Sequence, residues 1–168
     1  MEIFDIYDNN RIKTGKTKAR GVPLDKGEYH LMVVVLIFDS AGRMLVQKRG
    51  GSTGWMPGAW TCTAGGGVCS DESPDCAATR ELFEELGIKH NFRGRPANFS
   101  RNIKNGFIDY FILKKDIDIN TLNVPNEEVA DVKWVDKKEM LNMIKEGKCV
   151  NYPLGFVEYC FDNKETSF

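Results

Sequence analysis

At 168 residues, 42% of them hydrophobic and 28% charged, the chain can bury one substantial core and is too apolar to be disordered. Its 23 Lys plus Arg against 24 Asp plus Glu create no overall field for nucleic acid or an anionic membrane, so any phosphate must be recognised locally. Five cysteines without a CxxC pair, and no amino-terminal signal sequence, predict free thiols in a reducing cytoplasm.

Residues 2–8 (EIFDIYD) alternate apolar and polar, Asn9-Asn10 suits a turn, and 11–28 are rich in Lys, Arg and Gly. Together they predict an amino-terminal hairpin with an exposed return. Residues 30–38 (HLMVVVLIF) form a β-branched run, expected to be a strand covered on both faces. At that length the run cannot span a membrane. A turn at 39–42 leads to a returning strand at 43–49, a loop at 50–58, and a short strand at 59–64 feeding Gly65, Gly66 and Gly67.

Ser73, Pro74 and Asp75 suit the N-cap and first turn of a helix, which Gly87 stops after Leu86. Helical spacing sets Ala78, Leu82, Phe83 and Leu86 on one side and Glu81, Glu84 and Glu85 on the other. Strands are predicted at 91–99 and 107–114 around Asn105-Gly106, then a strand at 129–135. Helices are predicted at 137–145 and, after Pro153, around 157–161. The result is an α/β fold with a mixed sheet between helices.

The chemistry concentrates in 66–88. Gly66, five residues, Glu72, seven residues, Arg80-Glu81, an apolar residue, Glu84-Glu85, Gly87 and an apolar residue make a pattern that arises by chance in roughly one register in a billion, taking ordinary residue usage. Like-charge pairs at i,i+3 and i,i+4 destabilise an isolated helix by about 0.2–0.5 kcal/mol each, so Glu81, Glu84 and Glu85 need a reason to be together. A hard divalent cation, Mg²⁺ or Mn²⁺, removes the repulsion and uses the oxygens. The spacing of Cys62, Cys69 and Cys76 by sevens invites zinc, but it crosses a loop and a helix start, and small buried or semi-buried hydrophobes are the expected reading.

The pattern is identified as the complete signature of the Nudix hydrolase family. That resemblance implies a Nudix-type α/β/α sandwich over 1–168, with 1–28 a hairpin extension and 29–168 the core. It implies that Gly66, Glu81, Glu84 and Glu85 hold Mg²⁺. Glu84 and Glu85 would be the principal ligands, Glu81 a further ligand or the base that deprotonates water, and Arg80 the residue that holds a glutamate in place. Glu72 would orient or support. The activity implied is hydrolysis of a diphosphate bond in a small molecule, with a nucleoside diphosphate linked to another moiety as the default substrate, and relatives are often homodimers.

Shorter segments, FDIYD, TGK, YH, LVQKR and PGAWT, resemble the branch related to type I isopentenyl-diphosphate isomerase. His30 matches a metal-ligand histidine of that enzyme, but Gly65 and Gly67 stand where its cysteine and a second histidine would be. Isomerase-like chemistry and a non-catalytic nucleotide-binding module are therefore the alternatives. Outside the signature, Arg49 and Glu128 (with Glu127 beside it) are candidates to touch substrate, together with His30. Trp55, Trp60, Phe99 and Tyr110 are candidates to stack a base, against the ordinary role of aromatic core.

Overall fold

The β-branched run at 30–38 becomes the central strand of a mixed sheet in a computed structural model of the chain, which describes residues 1–51 and 56–165. Trp55 lies outside the described residues. In chain order the strands are β1 (Ile3–Tyr7), β2 (Lys13–Ala19), β3 (His30–Phe38), β4 (Met44–Arg49), β5 (Trp60–Cys62), β6 (Ala64–Gly67), β7 (Phe99–Ile103), β8 (Gly106–Lys114) and β9 (Val129–Val135). The helices are α1 (Pro74–Leu86), α2 (Lys137–Lys145) and α3 (Leu154–Asp162).

β3 runs parallel to β8 along its length, with β7 antiparallel beyond it and β6 antiparallel on the other edge of β3. β4 lies between β5 and β9, antiparallel to both. β3 and β4 pair only at Phe38 and Met44, beside their turn, and then diverge. Thr63 fills the opening: its buried hydroxyl accepts the Ile37 N–H at 3.0 Å and donates to the Leu45 carbonyl at 2.5 Å. Without that hydroxyl, two buried backbone groups would lack a partner.

Alternation along β3 then builds two cores. Val33, Val35 and Ile37 pack with Ala77, Ala78, Leu82 and Leu86 of α1. Leu36 and Phe38 pack on the opposite face with Met140 and Ile144 of α2 and Val157 and Phe161 of α3. The architecture is an α/β/α sandwich with a mixed sheet, as the resemblance implied. The β1–β2 hairpin docks on its edge: Tyr7 and Tyr29 exchange backbone hydrogen bonds, and Ser70 N–H donates to the Ile3 carbonyl at 2.7 Å. Arg11 pairs with Asp109 across the same junction.

Three local expectations need correction. The strand expected at 59–64 divides at Thr63, and its second part, β6, runs on through Gly65–Gly67, whose missing side chains let neighbours press on both faces. A Cβ on Gly67 would lie 2.4 Å from the Phe4 ring, and one on Gly66 2.2 Å from the Glu81 carboxylate. The strand expected at 91–99 begins only at Phe99, since Gly94 takes a left-handed φ of 80° and Pro96 cannot donate to a ladder. On α1, Phe83 is 52% exposed whereas Glu81 and Glu85 are 6% and 5% exposed. The glycine strand lets the helix turn its carboxylate edge, rather than Phe83, into the sheet.

Candidate active site

α1 starts at Ser73, whose side chain makes no capping bond, with Pro74 in the first helical turn. Asp75 instead ties down the next segment by accepting the Gly94 N–H at 2.7 Å, and hydrogen bonding from Ser73 holds its carboxyl below the ordinary range. Gly87, at φ 71°, closes the helix with its N–H on the Phe83 carbonyl. These ends fix the rotation that brings Arg80, Glu81, Glu84 and Glu85 to the sheet.

Arg80 is the organiser. Its Nε and Nη2 donate to the two oxygens of Glu72 at 3.0 and 2.9 Å, and Nη2 also donates to the Gly67 carbonyl at 3.0 Å. Nη1 donates to Glu81 Oε1 at 2.7 Å and to Glu84 Oε2 at 3.0 Å. This planar fork ties loop, strand and helix together, and the charge-assisted bonds make it rigid. Glu72 also accepts the Cys69 N–H at 3.1 Å. Its position is that of a strut between loop and helix.

Glu85 Oε2 accepts from Gln47 Nε2 at 2.7 Å and from the Gly65 N–H at 3.2 Å. Burial, with the nearby charge of Glu81, pushes its carboxyl up to about 8. Burial also raises Glu81, to about 6, against the opposing pull of Arg80. Glu84 is half exposed.

These groups border a cavity of about 250 Å³ lined by Glu2, Arg20, Gln47, Arg49, Gly65, Gly66, Glu81, Glu84, Glu85 and Glu128. Five carboxylates and two guanidinium groups thus face one space. Arg49 comes from the end of β4, and among the described residues its buried Nε has no hydrogen-bond partner. Glu128 is presented by a loop stitched to both neighbours. Gly50 N–H donates to the Glu128 carbonyl at 2.7 Å, and Asn126 bonds the Glu85 carbonyl and the Glu128 N–H.

Of the residues singled out in the sequence, Gly66, Glu81, Glu84, Glu85, Arg49 and Glu128 meet here, with Arg80 behind them. His30 does not line this cavity. It lies on the face of β3 away from α1, its ring against Gly106, and burial lowers its pKa. Phe99 stacks on the buried Tyr110 at 4.7 Å and both belong to the α2–α3 core; Trp60 packs against that core with Lys133 over its ring. Cys62 is buried on that same side, its thiol pushed up to about 11 by desolvation.

Gln47, Gly65, Glu2 and Arg20 were not singled out. Gln47 had a readable signal, being polar at the position between Leu45 and Arg49 in the strand's period of two. Glu2 and Arg20 had none, because only the docking of the hairpin brings them to a helix far along the chain.

Among the described residues no three His, Cys, Asp or Glu side chains converge as a preformed metal cage. The chemistry of the donors nevertheless fits a hard divalent cation: they are all oxygen, two are desolvated, and they repel one another. Glu84 would have to leave Arg80 to join Glu85 on an ion.

An α/β/α sandwich with helix glutamates, an arginine strut and a glycine strand around one cavity is the frame of a hydrolase with an acidic site. The NUDIX domain model matches residues 28–153, and the chain belongs to the Nudix hydrolase family. It is 39% identical over 152 residues, 90% of each chain, to an uncharacterized Nudix hydrolase of Listeria monocytogenes. It is 34% identical over 142 residues to isopentenyl-diphosphate Delta-isomerase 1 of Aromatoleum aromaticum, covering 78% of this chain and 75% of that protein. The crystal structure of DR0079 from Deinococcus radiodurans shares the fold, with a TM-score of 0.75 at 20% identity over 95% of this chain and 99% of that one.

Proposed function

We propose that the protein hydrolyses a diphosphate bond in a nucleoside-diphosphate-linked or related small molecule, with Mg²⁺ as cofactor and Mn²⁺ as a substitute. The observation that carries this reading is the single cavity in which buried helix carboxylates face Arg20 and Arg49. Carboxylates alone would repel a diphosphate, and guanidinium groups alone would bind it without activating water.

Glu84, Glu85 and the carbonyl of Gly66 would hold the metal. A bound divalent ion neutralises phosphate charge and makes water a better nucleophile. Gln47 and the Gly65 N–H orient Glu85, and Arg80 orients Glu81 through Oε1. Glu81 takes the proton of the attacking water at Oε2; a carboxyl raised toward neutrality suits that task. Arg49 receives the phosphate through its guanidinium, which the end of β4 brings to the cavity. Buried Leu82 and Val33, with the partly buried Phe4, hold the walls on which these groups sit.

Likeness to the Aromatoleum isomerase favours a second reading, protonation and deprotonation of an allylic carbon. This cavity lacks the groups for that step: among the described residues its lining holds neither cysteine nor histidine, and Cys62 is on the opposite side of the sheet. A non-catalytic module is disfavoured because every glutamate of the signature is present. The test is Glu84→Gln, whose half-exposed side chain is not needed for folding. Turnover should fall at least a hundredfold with the unfolding transition unchanged, and retained turnover at millimolar Mg²⁺ would remove Glu84 from the metal site.

A further inference from the structure

The amino-terminal hairpin lies outside the glycine-to-glycine signature, yet it contributes two residues to the cavity, Glu2 and Arg20. They stand at the two ends of the β1–β2 hairpin, whose strands close with the Arg20 N–H on the Glu2 carbonyl at 2.9 Å. Arg20 Nη1 meets Glu2 Oε2 at 2.6 Å, and Glu2 Oε1 lies 4.0 Å from Arg80 Nη1. Glu2 therefore sits between the guanidinium of the hairpin and that of the catalytic helix.

The hairpin is held in place independently of this pair. Phe4 covers Gly67, Ser70 bonds Ile3 and Asp5, Tyr7 bonds Tyr29, and Arg11 pairs with Asp109. Arg20 thus reaches the cavity from a fixed base. An exposed arginine, its side chain 65% accessible, with one carboxylate partner is ordinarily a weak surface pair. Here the carboxylate lies among four others in the same space, and a divalent cation that offsets their charge would let an incoming anion take its place on Arg20 with a charge-assisted bond.

We propose that the hairpin is part of the substrate site and that Arg20 is a specificity-determining contact to the substrate's diphosphate, held by Glu2 until the phosphate oxygens take that place. Arg20 and Arg49 then grip the anion from two elements distant in sequence, opposite the helix carboxylates. The inference rests on the diphosphate reading of the cavity.

The test measures binding of methylenebisphosphonate, a hydrolysis-resistant diphosphate, to Mn²⁺-loaded protein by calorimetry, with Mn²⁺ affinity measured separately. Arg20→Ala should weaken bisphosphonate binding about tenfold while leaving Mn²⁺ affinity unchanged, and Arg20→Lys should recover part of the loss. Glu2→Gln should tighten binding, since it frees Arg20 and removes a negative charge. Lys13→Ala is the control for docking, because it breaks only the exposed pair with Asp5 on the same hairpin; it should bind as wild type does. Equal affinity for wild type and Arg20→Ala would overturn the role of Arg20 and leave the diphosphate reading standing. An equal loss in Lys13→Ala would assign the effect to hairpin docking, against a direct contact. Wild-type protein that takes Mn²⁺ but not the bisphosphonate would overturn the diphosphate reading and this inference with it.

Discussion

Glu81 and Glu85 carry an electrostatic conflict that a folded protein tolerates only for a reason. Both are buried, both titrate above the ordinary carboxylate value of 4.5, at about 6 and about 8, and the charge of Glu81 adds to the burial of Glu85. With folded values above the unfolded ones, the folded chain binds more protons between pH 4.5 and 8. Their contribution to stability is therefore full below pH 4.5 and is lost as pH rises through about 6 and then 8. Metal-free protein should accordingly melt at lower temperature at pH 8.5 than at pH 5.5, and Glu85→Gln should flatten that slope. A melting temperature that rises over the same interval would contradict the burial argument. Gly66 gives a second test at this scale. The Cβ of Gly66→Ala would lie 2.2 Å from Glu81 Oε1, so the carboxylate must move, and a displacement of about 1 Å costs catalysis on the order of a hundredfold. Turnover within threefold of wild type would mean that Glu81 is not held where the chemistry occurs. Cys62→Ala, by contrast, should leave turnover within a few-fold, because its thiol faces the α2–α3 core; a collapse of turnover in a normally folded variant would return the isomerase reading.

Among the elements, those whose instructions are local were legible in the sequence. β3 follows from its β-branched run, and α1 from Pro74 at one end and Gly87 at the other. Where tertiary contacts decide, the local pattern misled or was silent. Three consecutive glycines disfavour a strand by propensity, yet β6 forms because β3 supplies its ladder and Phe4 and Glu81 occupy the space their side chains would fill. Phe83 matched the apolar stripe of α1 and was turned outward by the same close approach. The signature glutamates were readable from their spacing together with the family resemblance it carries, whereas Glu2 and Arg20 depend on how the hairpin docks. Thr63 shows how narrowly the elements are joined, since one hydroxyl closes the divergence of β3 from β4. Thr63→Val keeps the shape and removes both bonds, at a cost of about 1–3 kcal/mol for each buried backbone group left without a partner. The urea midpoint should fall with the slope unchanged; an unmoved midpoint would show that the sheet closes without it.

At the scale of the whole molecule, the sandwich keeps its two tasks apart. The α2–α3 face is a packed core rich in aromatic residues, and no described helix is long and apolar enough to cross a membrane. The α1 face gives up some of that packing to gather charge beside a glycine strand, and the hairpin and the Glu128 loop close around it. A ligand that binds only this arrangement stabilises the fold by mass action, by about 2.7 kcal/mol at a hundred times its dissociation constant. Mg²⁺ should therefore raise the melting temperature of wild-type protein at pH 8 and have a much smaller effect on Glu84→Gln. An equal shift in both would place the ion elsewhere. The most direct test of diphosphate hydrolysis incubates the protein with Mg²⁺ and a panel of nucleoside-diphosphate-linked compounds together with isopentenyl diphosphate, following products by phosphorus and proton NMR. Phosphomonoester products that disappear with Glu84→Gln are the predicted result; an intact diphosphate with a displaced double bond would contradict it.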